Sequence, residues 1–361
     1  MINRNSNNKY YNLINDFFKK NKWEPLPHQI ESWDSFFRGE NGIIQLPTGC
    51  GKTYAAFMGP LLKLKEKDIP EGINILVITP LKALSRDLEK SLNEAAKFVD
   101  KRITVGIRNG DTSPYEKNKQ ILKPPNILIT TPETLALLIA NKNSKKLFNN
   151  LFSIIIDEWH ELMGNKRGNQ CELSLSSIRA LKKDIQIWAM SATLGNIYEA
   201  SRVIVGVKGK NPTIIKSELK KIIELKSIIP KEIGTLPWSG HLGLRSHKYL
   251  LEEIEKNKST LFFTNTRSHS EKWFQCLKFY YPEMGNKIAI HHSSMDKEDR
   301  RNVEEGVKNG DIKWVICTSS LDLGVDFQPV EQIVQIGSPK NLARLIQRAG
   351  RSSHKPGGKS K

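Results

Sequence analysis

Gly42-Ile-Ile-Gln-Leu46 runs through Pro47 into Thr48-Gly-Cys-Gly-Lys-Thr53 and on into Tyr54-Ala-Ala-Phe-Met58. An apolar, β-branched run, a glycine-rich turn and a helix-forming stretch, in that order, predict a strand–loop–helix unit of the phosphate-binding kind. Glycines let backbone N–H groups converge on an anion at the positive end of a helix; the Lys52 ammonium reaches the outer phosphates and the Thr53 hydroxyl ligates Mg²⁺. Thr48, Gly49, Cys50 and Gly51 complete the candidate loop. The full pattern G-x4-G-K-[ST] asks for glycine at position 46, where this chain has Leu46. A tight glycine turn at a strand end is the alternative reading.

Further runs of the same kind extend outward from this unit. Ile73-Thr79, Ile103-Arg108, Ile127-Thr130, Phe152-Asp157 and Ile185-Ser191 read as strands, and Lys52-Lys67, Leu81-Phe98 and Pro132-Ala140 as helices. Strands without inner alternation, separated by helices, indicate a parallel sheet covered on both faces. A second series has strands at Thr260-Thr264, Lys287-His291, Trp314-Thr318 and Gln332-Ile336, with helices at Thr266-Phe279, Lys297-Lys308 and Leu342-Arg348. The expectation is an α/β chain of two tandem doubly wound parallel-sheet domains, 1–208 and 209–361, joined near Gly206-Pro212. Ile214-Pro230 reads as an extended strand opening the second domain, Gly234-His247 as a loop and Lys355-Lys361 as a solvated end.

With 361 residues, two average domains fit. Lys and Arg number 56 against 38 Asp and Glu, a net charge of +18. Such a surface attracts polyanions, nucleic acid or an anionic membrane, although a generally lysine-rich composition would give the same sum. No run approaches the ~18 apolar residues of a membrane span, and Met1-Lys9 lacks the apolar core of a signal peptide. The four cysteines lie far apart with no C-x-x-C pair, which disfavours a zinc site and a disulfide framework and suits a reducing cytoplasm.

In an open parallel sheet, ligands bind at the carboxyl ends of strands. Asp157-Glu158 follows Phe152-Ile156 at such an end. Asp157 is the candidate to hold Mg²⁺ through its water shell and Glu158 the candidate to orient or deprotonate an attacking water. Helix capping by the pair is the rival explanation. Arg348 and Arg351, in Gln347-Arg-Ala-Gly-Arg-Ser-Ser-His354, flank a glycine turn after a helix and suit an arginine finger on the developing γ-phosphate charge; basic residues on a solvated helix end are the alternative.

Taken together, these residues resemble the superfamily two helicases over nearly the whole chain. Pro27-His28-Gln29 looks like the adenine-reading element, with Trp23 a stacking partner. Ser191-Ala-Thr-Leu194 looks like the motif that couples hydrolysis to domain closure. Pro80-Leu-Lys82-Ala83, Gly110-Asp-Thr112 and Thr131-Pro-Glu133 occupy the places where that family grips a nucleic-acid backbone. Thr264-Asn-Thr-Arg267, His291-His-Ser-Ser294 and Thr318 occupy the equivalent places in the second domain, and Gly324-Val-Asp326 matches its nucleotide-reporting element. Asp157-Glu-Trp-His160, Ser191-Ala-Thr-Leu-Gly-Asn196, Thr318–Asp326 and Gln347–Ser352 are similar to the large helicase-related (Lhr) proteins, the bacterial ligase-associated branch above all.

The resemblance implies RecA-like domains with a nucleotide cleft between them. It also implies dependence on ATP and Mg²⁺ and translocation on single-stranded DNA, 3′ to 5′, with unwinding of DNA or DNA/RNA hybrids during repair. A DNA ligase or nuclease partner follows from the resemblance only. His354 stands where many relatives carry a second finger arginine, so Arg351 is the preferred finger. Lhr proteins continue past this point with a winged helix and further domains, and a chain lacking them is expected to unwind weakly. An RNA-specific helicase, and a nucleic-acid-binding scaffold with little hydrolysis, are the rivals.

Overall fold

The computed structural model describes residues 8–47, 49–66, 69–192, 194–206, 211–217, 222–228, 244, 247–322, 330–339, 342–352 and 359–360. Two compact units result: Met1–Pro47 with Gly51–Glu218, and Leu219–Lys361, with which the short piece Thr48–Cys50 is grouped.

The first unit opens with α1 (Asn8–Lys20) and α2 (Pro27–Phe37), and then alternates: β1 (Gly42–Gln45), α3 (Lys52–Glu66), β2 (Ile75–Ile78), α4 (Lys82–Val99), β3 (Val105–Arg108), α5 (Pro114–Leu122) and β4 (Ile127–Thr130). It continues with α6 (Pro132–Ile139), α7 (Ser144–Leu147), β5 (Ser153–Ile156), α8 (Trp159–Leu162), α9 (Lys166–Leu181), β6 (Gln186–Ser191), α10 (Ile197–Val205) and β7 (Thr213–Lys216). Seven strands form one sheet in the order β3-β4-β2-β5-β6-β1-β7, every pairing parallel.

Alternation along each strand sends side chains to opposite faces, and both faces are apolar. Ile43, Leu76, Ile78, Ile154, Ile156, Ile187 and Ala189 pack with residues of α6, α8, α9 and α10, among them Leu138, Trp159, Ile178 and Ile204. Their neighbours Ile44, Ile75, Val77, Ile155, Trp188 and Met190 are equally buried and face the side carrying α3 and α4. Burial on both faces is why the strands read as unbroken apolar runs.

Helix starts follow local chemistry. Ser113, Asn165 and Asn196 each accept a first-turn backbone N–H, at the starts of α5, α9 and α10.

The expected boundary at 208/209 moves. β7 pairs in register with β1, Gly42 opposite Thr213 through Gln45 opposite Lys216, and so closes the first sheet rather than opening the second. Gly42 permits the approach, since a Cβ there would lie 2.1 Å from the Thr213 carbonyl oxygen.

The second unit holds β8 (Ile222–Ile223), α11 (His247–Glu253), β9 (Thr260–Phe263), α12 (Arg267–Tyr280), β10 (Ile288–His291), α13 (Lys297–Asn309), β11 (Trp314–Cys317), β12 (Gln332–Gln335), α14 (Leu342–Ala349) and β13 (Lys359–Ser360). Its main sheet is parallel, in the order β10-β11-β9-β12. Phe262, Trp314 and Ile316 face Leu250, Trp273 and Leu277 on one side, while Leu261, Phe263 and Val315 face Val307 and Leu321 on the other. The tail, expected to be a solvated end, pairs at Lys359–Ser360 with Ile222–Ile223. Backbone hydrogen bonding needs no apolar side chain, which is why composition alone misread it. No described helix is long and apolar enough to cross a membrane.

Candidate nucleotide and nucleic-acid site

Leu46 is fully buried and its N–H donates to the Ser191 carbonyl at 3.0 Å, prolonging the β1–β6 pairing by one residue. The loop therefore turns later than the general pattern asks. Gly49 and Gly51 adopt φ of +82° and +71°, conformations that glycine enters without a Cβ penalty, and α3 begins immediately at Lys52. The N–H groups of the first helical turn have no partner within the helix and carry its positive dipole end, so Lys52 and Thr53 stand where a phosphate is best received.

α2 buttresses this loop. Ser32 Oγ and Trp33 Nε1 donate to the Ala55 and Tyr54 carbonyls of α3, at 2.7 and 2.9 Å. That docking places buried Gln29 with Nε2 donating to the Gly51 carbonyl at 3.1 Å, while its Oε1 accepts the Leu26 N–H at 2.9 Å. Trp23 is 44% exposed and leans on Phe17, Phe18 and Tyr54.

Across the sheet, the Asp157 N–H donates to the Ile78 carbonyl at 2.8 Å, and its Oδ1 accepts the Glu158 N–H at 3.0 Å. Burial pushes the Asp157 carboxyl up, the Glu158 charge adds to this and the Lys52 cation opposes it. Glu158 takes φ 44°, ψ 50°, a left-handed conformation that a non-glycine residue adopts at a cost of about 1 kcal/mol or more. That turn swings its carboxylate to 3.1 Å from Lys52 Nζ, both side chains being largely buried. Glu158 Oε2 lies 3.5 Å from His160 Nδ1, which shares a 2.9 Å hydrogen bond with Ser191 Oγ. Burial lowers the His160 pKa, favouring the neutral imidazole.

The backbone-gripping candidates of the first unit follow adjacent strands. Pro80 and Lys82 come after β2, Gly110 after β3 and Thr131 after β4, and β3-β4-β2 are consecutive in the sheet, so all four stand along one carboxyl edge. Lys82 Nζ is 2.8 Å from Asp111 Oδ1, and a Cβ at Gly110 would approach that Nζ to 2.9 Å. The Thr131 hydroxyl is buried against Thr134 Oγ1 at 3.3 Å, and neighbouring Glu133 is held in two bonds by Arg167.

The second unit repeats the arrangement. His291 ends β10, while Thr318 and Arg267 follow β11 and β9, and β10-β11-β9 are again consecutive strands. Arg267 Nε reaches Glu271 Oε1 at 2.8 Å across one helical turn.

The two finger candidates part company. Arg348 is 2% exposed; its Nε and Nη2 donate to the Asp322 carboxylate at 2.7 and 3.2 Å, its Nη1 to Gln335 Oε1 at 2.5 Å, and its guanidinium lies 4.6 Å from the Phe263 ring centroid. A guanidinium held in this way forms a core ion pair. Arg351, half-buried, donates to the Asp322 carbonyl through Nε at 3.2 Å and Nη2 at 3.0 Å. Thr48, Gly324, Asp326 and His354 lie outside the described residues. Two residues were missed. His160 carried a signal, in that it follows the paired carboxylates directly; Asp322 had none, since its partners lie 26 and 29 residues away.

The donor set is one of hard oxygens. Asp157 and Thr53 suit Mg²⁺ held by one carboxylate, a hydroxyl and substrate phosphates, and such a site needs no protein cage. Among the described residues no cluster of three or more His, Cys, Asp or Glu forms one.

The DEAD/DEAH box helicase family model matches residues 26–200, and the helicase conserved C-terminal domain matches residues 245–355. The ATP-dependent helicase Lhr-Core of Methanocaldococcus jannaschii is 36% identical over 96% of this chain and 42% of its own length. Among solved structures, Mycobacterium smegmatis helicase Lhr bound to ssDNA and AMP-PNP is 30% identical with a TM-score of 0.81, covering 96% of this chain and 46% of that one. The DUF1998 helicase MrfA bound to DNA and AMPPNP is 25% identical with a TM-score of 0.78, covering 96% and 49%. The chain thus spans about two fifths of the length of the curated relatives it matches. With its motifs in that family's order on two RecA-like sheets, the chain belongs to the Lhr family of helicases.

Proposed function

We propose that this chain is an ATP-hydrolysing motor core that moves along single-stranded DNA, 3′ to 5′, and serves unwinding of DNA or DNA/RNA hybrids in repair. The observation that carries the reading is the meeting of Lys52 and Glu158 at 3.1 Å, at the carboxyl ends of β1 and β5. Lys52 and the α3 N-terminus bind the phosphates, and Gln29 and Trp23 receive the adenine. Glu158 orients the attacking water and takes its proton; by family resemblance Gly324 and Asp326 are the nucleotide-reporting residues and Arg351 is the finger. Mg²⁺, when bound at Thr53 and Asp157, neutralises charge on the phosphate oxygens.

Lhr of M. smegmatis, whose structure holds ssDNA and AMP-PNP, supports this choice of nucleic acid and nucleotide. So does the net charge of +18, because phosphate neutralisation releases counterions and makes binding sequence-tolerant and salt-sensitive. Polarity, repair and association with a DNA ligase or nuclease rest on family resemblance, and a cytoplasmic setting on the four free thiols. The test is steady-state ATPase with matched DNA strands, RNA strands, duplexes and hybrids. Strong stimulation by single-stranded DNA is expected; stimulation by RNA alone would turn the assignment to an RNA helicase, and its absence throughout would leave a scaffold.

A further inference from the structure

The loops at the amino ends of the first sheet, on the side away from the carboxyl edge, are joined to one another in the order of their strands. Lys182 Nζ, before β6, donates to the Asn149 carbonyl before β5 at 2.7 Å, and Asn150 Nδ2 donates to the Glu71 carbonyl before β2 at 2.8 Å. Asn126, before β4, donates through Nδ2 to the Pro70 carbonyl at 3.2 Å and accepts the N–H of Thr104, before β3, on Oδ1 at 3.0 Å. These bonds make a floor that follows β3-β4-β2-β5-β6, and five adjacent strands span about 19 Å. Every strand of the floor brings a cation. Lys101, Lys123, Lys146 and Lys183 are exposed ahead of β3, β4, β5 and β6, and Lys65, also exposed, stands in the last turn of α3 ahead of β2.

The described acids of these loops are Glu71, Asp100 and Asp184, and Asp100 is held by Arg102 at 2.8 Å. Among the described residues Lys101, Lys123, Lys146 and Lys183 have no ion pair. Helix dipoles do not ask for this excess, because α4, α5 and α9 already carry Lys97, Lys119 and Arg179 in their last turns. The carboxyl edge differs: Lys82 is matched by Asp111, Arg167 by Glu133 and Lys52 by Glu158. We propose that the floor is a second nucleic-acid surface, which holds the phosphate backbone of a duplex apart from the carboxyl edge. B-form DNA carries one charge per about 1.7 Å of axis, so a duplex lying across the floor brings on the order of ten phosphates within its span. The exposed aromatics described in the unit, Trp23, Tyr115 and Tyr198, belong to none of these loops. Aromatic rings are the usual platform for unpaired bases, whereas contact to the backbone of paired strands asks only for cations and hydrogen-bond donors. This surface goes beyond the motor reading and needs no ATP hydrolysis.

The experiment measures K101Q/K123Q/K146Q/K183Q beside the wild-type chain and K82A, by fluorescence anisotropy of a labelled blunt-ended DNA duplex and of labelled oligo(dT) over a salt series, with melting temperatures. The fourfold variant is expected to weaken duplex binding by about tenfold or more and to reduce the slope of log K against log salt by about three to four, with oligo(dT) Kd within about twofold of wild type. Arginine at the same four positions should restore duplex binding, and K82A should weaken oligo(dT) instead. A second arm needs no variant: saturating unlabelled oligo(dT) should leave the duplex bound to the wild-type chain. Unchanged duplex affinity in the fourfold variant, equal weakening for duplex and oligo(dT), or displacement of the duplex by oligo(dT) would overturn the second surface. Unchanged duplex affinity beside lost sedimentation with phosphatidylcholine–phosphatidylserine vesicles would give the floor to a membrane instead. A wild-type chain that hydrolyses no ATP with any strand removes the motor reading and leaves this surface standing, whereas a stimulated chain whose duplex binding ignores the four lysines loses this surface alone.

Discussion

Lys52 Nζ and Glu158 Oε1 meet at 3.1 Å although 106 residues separate them. The sheet brings them together, since β1 and β5 both flank β6 and deliver their following residues to one edge. Glu158 reaches Lys52 through a left-handed backbone turn rather than by side-chain length alone. In the proposed motor a triphosphate would compete with this pair for the lysine, leaving Glu158 for the attacking water.

Glu158→Gln should therefore lower ATP turnover by about a hundredfold or more, the usual contribution of a positioned base, while nucleotide affinity is kept. Lys52→Ala should do the reverse in part, losing affinity as well as rate. Turnover under saturating ATP and binding of a fluorescent nucleotide separate the two. Undiminished hydrolysis by the glutamine variant would remove Glu158 from the chemistry.

Gly51 is required on two counts. Its φ of +71° costs an L-residue about 1–2 kcal/mol, and a Cβ there would stand 2.4 Å from Gln29 Nε2. Gly51→Ala should lower the melting temperature by roughly 5 °C and raise the ATP KM. Adding Gln29→Ala relieves the contact but not the backbone strain, so the double variant should regain part of the stability and none of the selectivity for adenine over other bases. Full recovery would mean that the contact alone makes glycine necessary.

Much of this was legible in the chain. Buried strands announce themselves because both sheet faces are covered, as in Ile75–Ile78 and Ser153–Ile156. The loop's glycines, Lys52 and Asp157-Glu158 follow from what phosphate and Mg²⁺ require. β7 was misassigned because an edge strand is covered less evenly: Thr213 and Ile214 are half-buried, Ile215 is buried and the apolar run fades into exposed Lys216. Arg348 and Arg351 look alike in sequence. Which of them is sealed in the core depends on Asp322, on a different element, and no local pattern encodes that partner. His160 likewise acquires its role only when β6 brings Ser191 beside it.

The Lys82–Asp111 pair at 2.8 Å, both side chains about half exposed, sits beside the expected path of a strand. A phosphate must draw Lys82 from Asp111, so the aspartate opposes binding. Lys82→Ala should weaken binding evenly across sequences and reduce the slope of log K against log salt by about one. Asp111→Asn should tighten binding, most at low salt. Titration of labelled oligo(dT) at several salt concentrations measures both. A tighter Lys82→Ala variant would place the strand elsewhere.

Arg348 and Arg351 should respond to substitution in opposite ways. Arg348→Met removes both bonds to the buried Asp322 carboxylate and, among the described residues, leaves it Arg344 Nε at 3.4 Å; breaking such a pair costs about 3–5 kcal/mol. It also removes the guanidinium from the Phe263 ring. Arg351→Ala gives up two bonds to a carbonyl at a half-buried position and should change stability by about 1 kcal/mol. Its effect belongs in turnover, where loss of a finger arginine reaches about 10³-fold. Urea unfolding and stimulated ATPase on both variants decide the matter. A stable Arg348→Met variant without activity, beside an active Arg351→Ala, would make Arg348 the residue that meets the γ-phosphate and Arg351 the one that holds the segment in place.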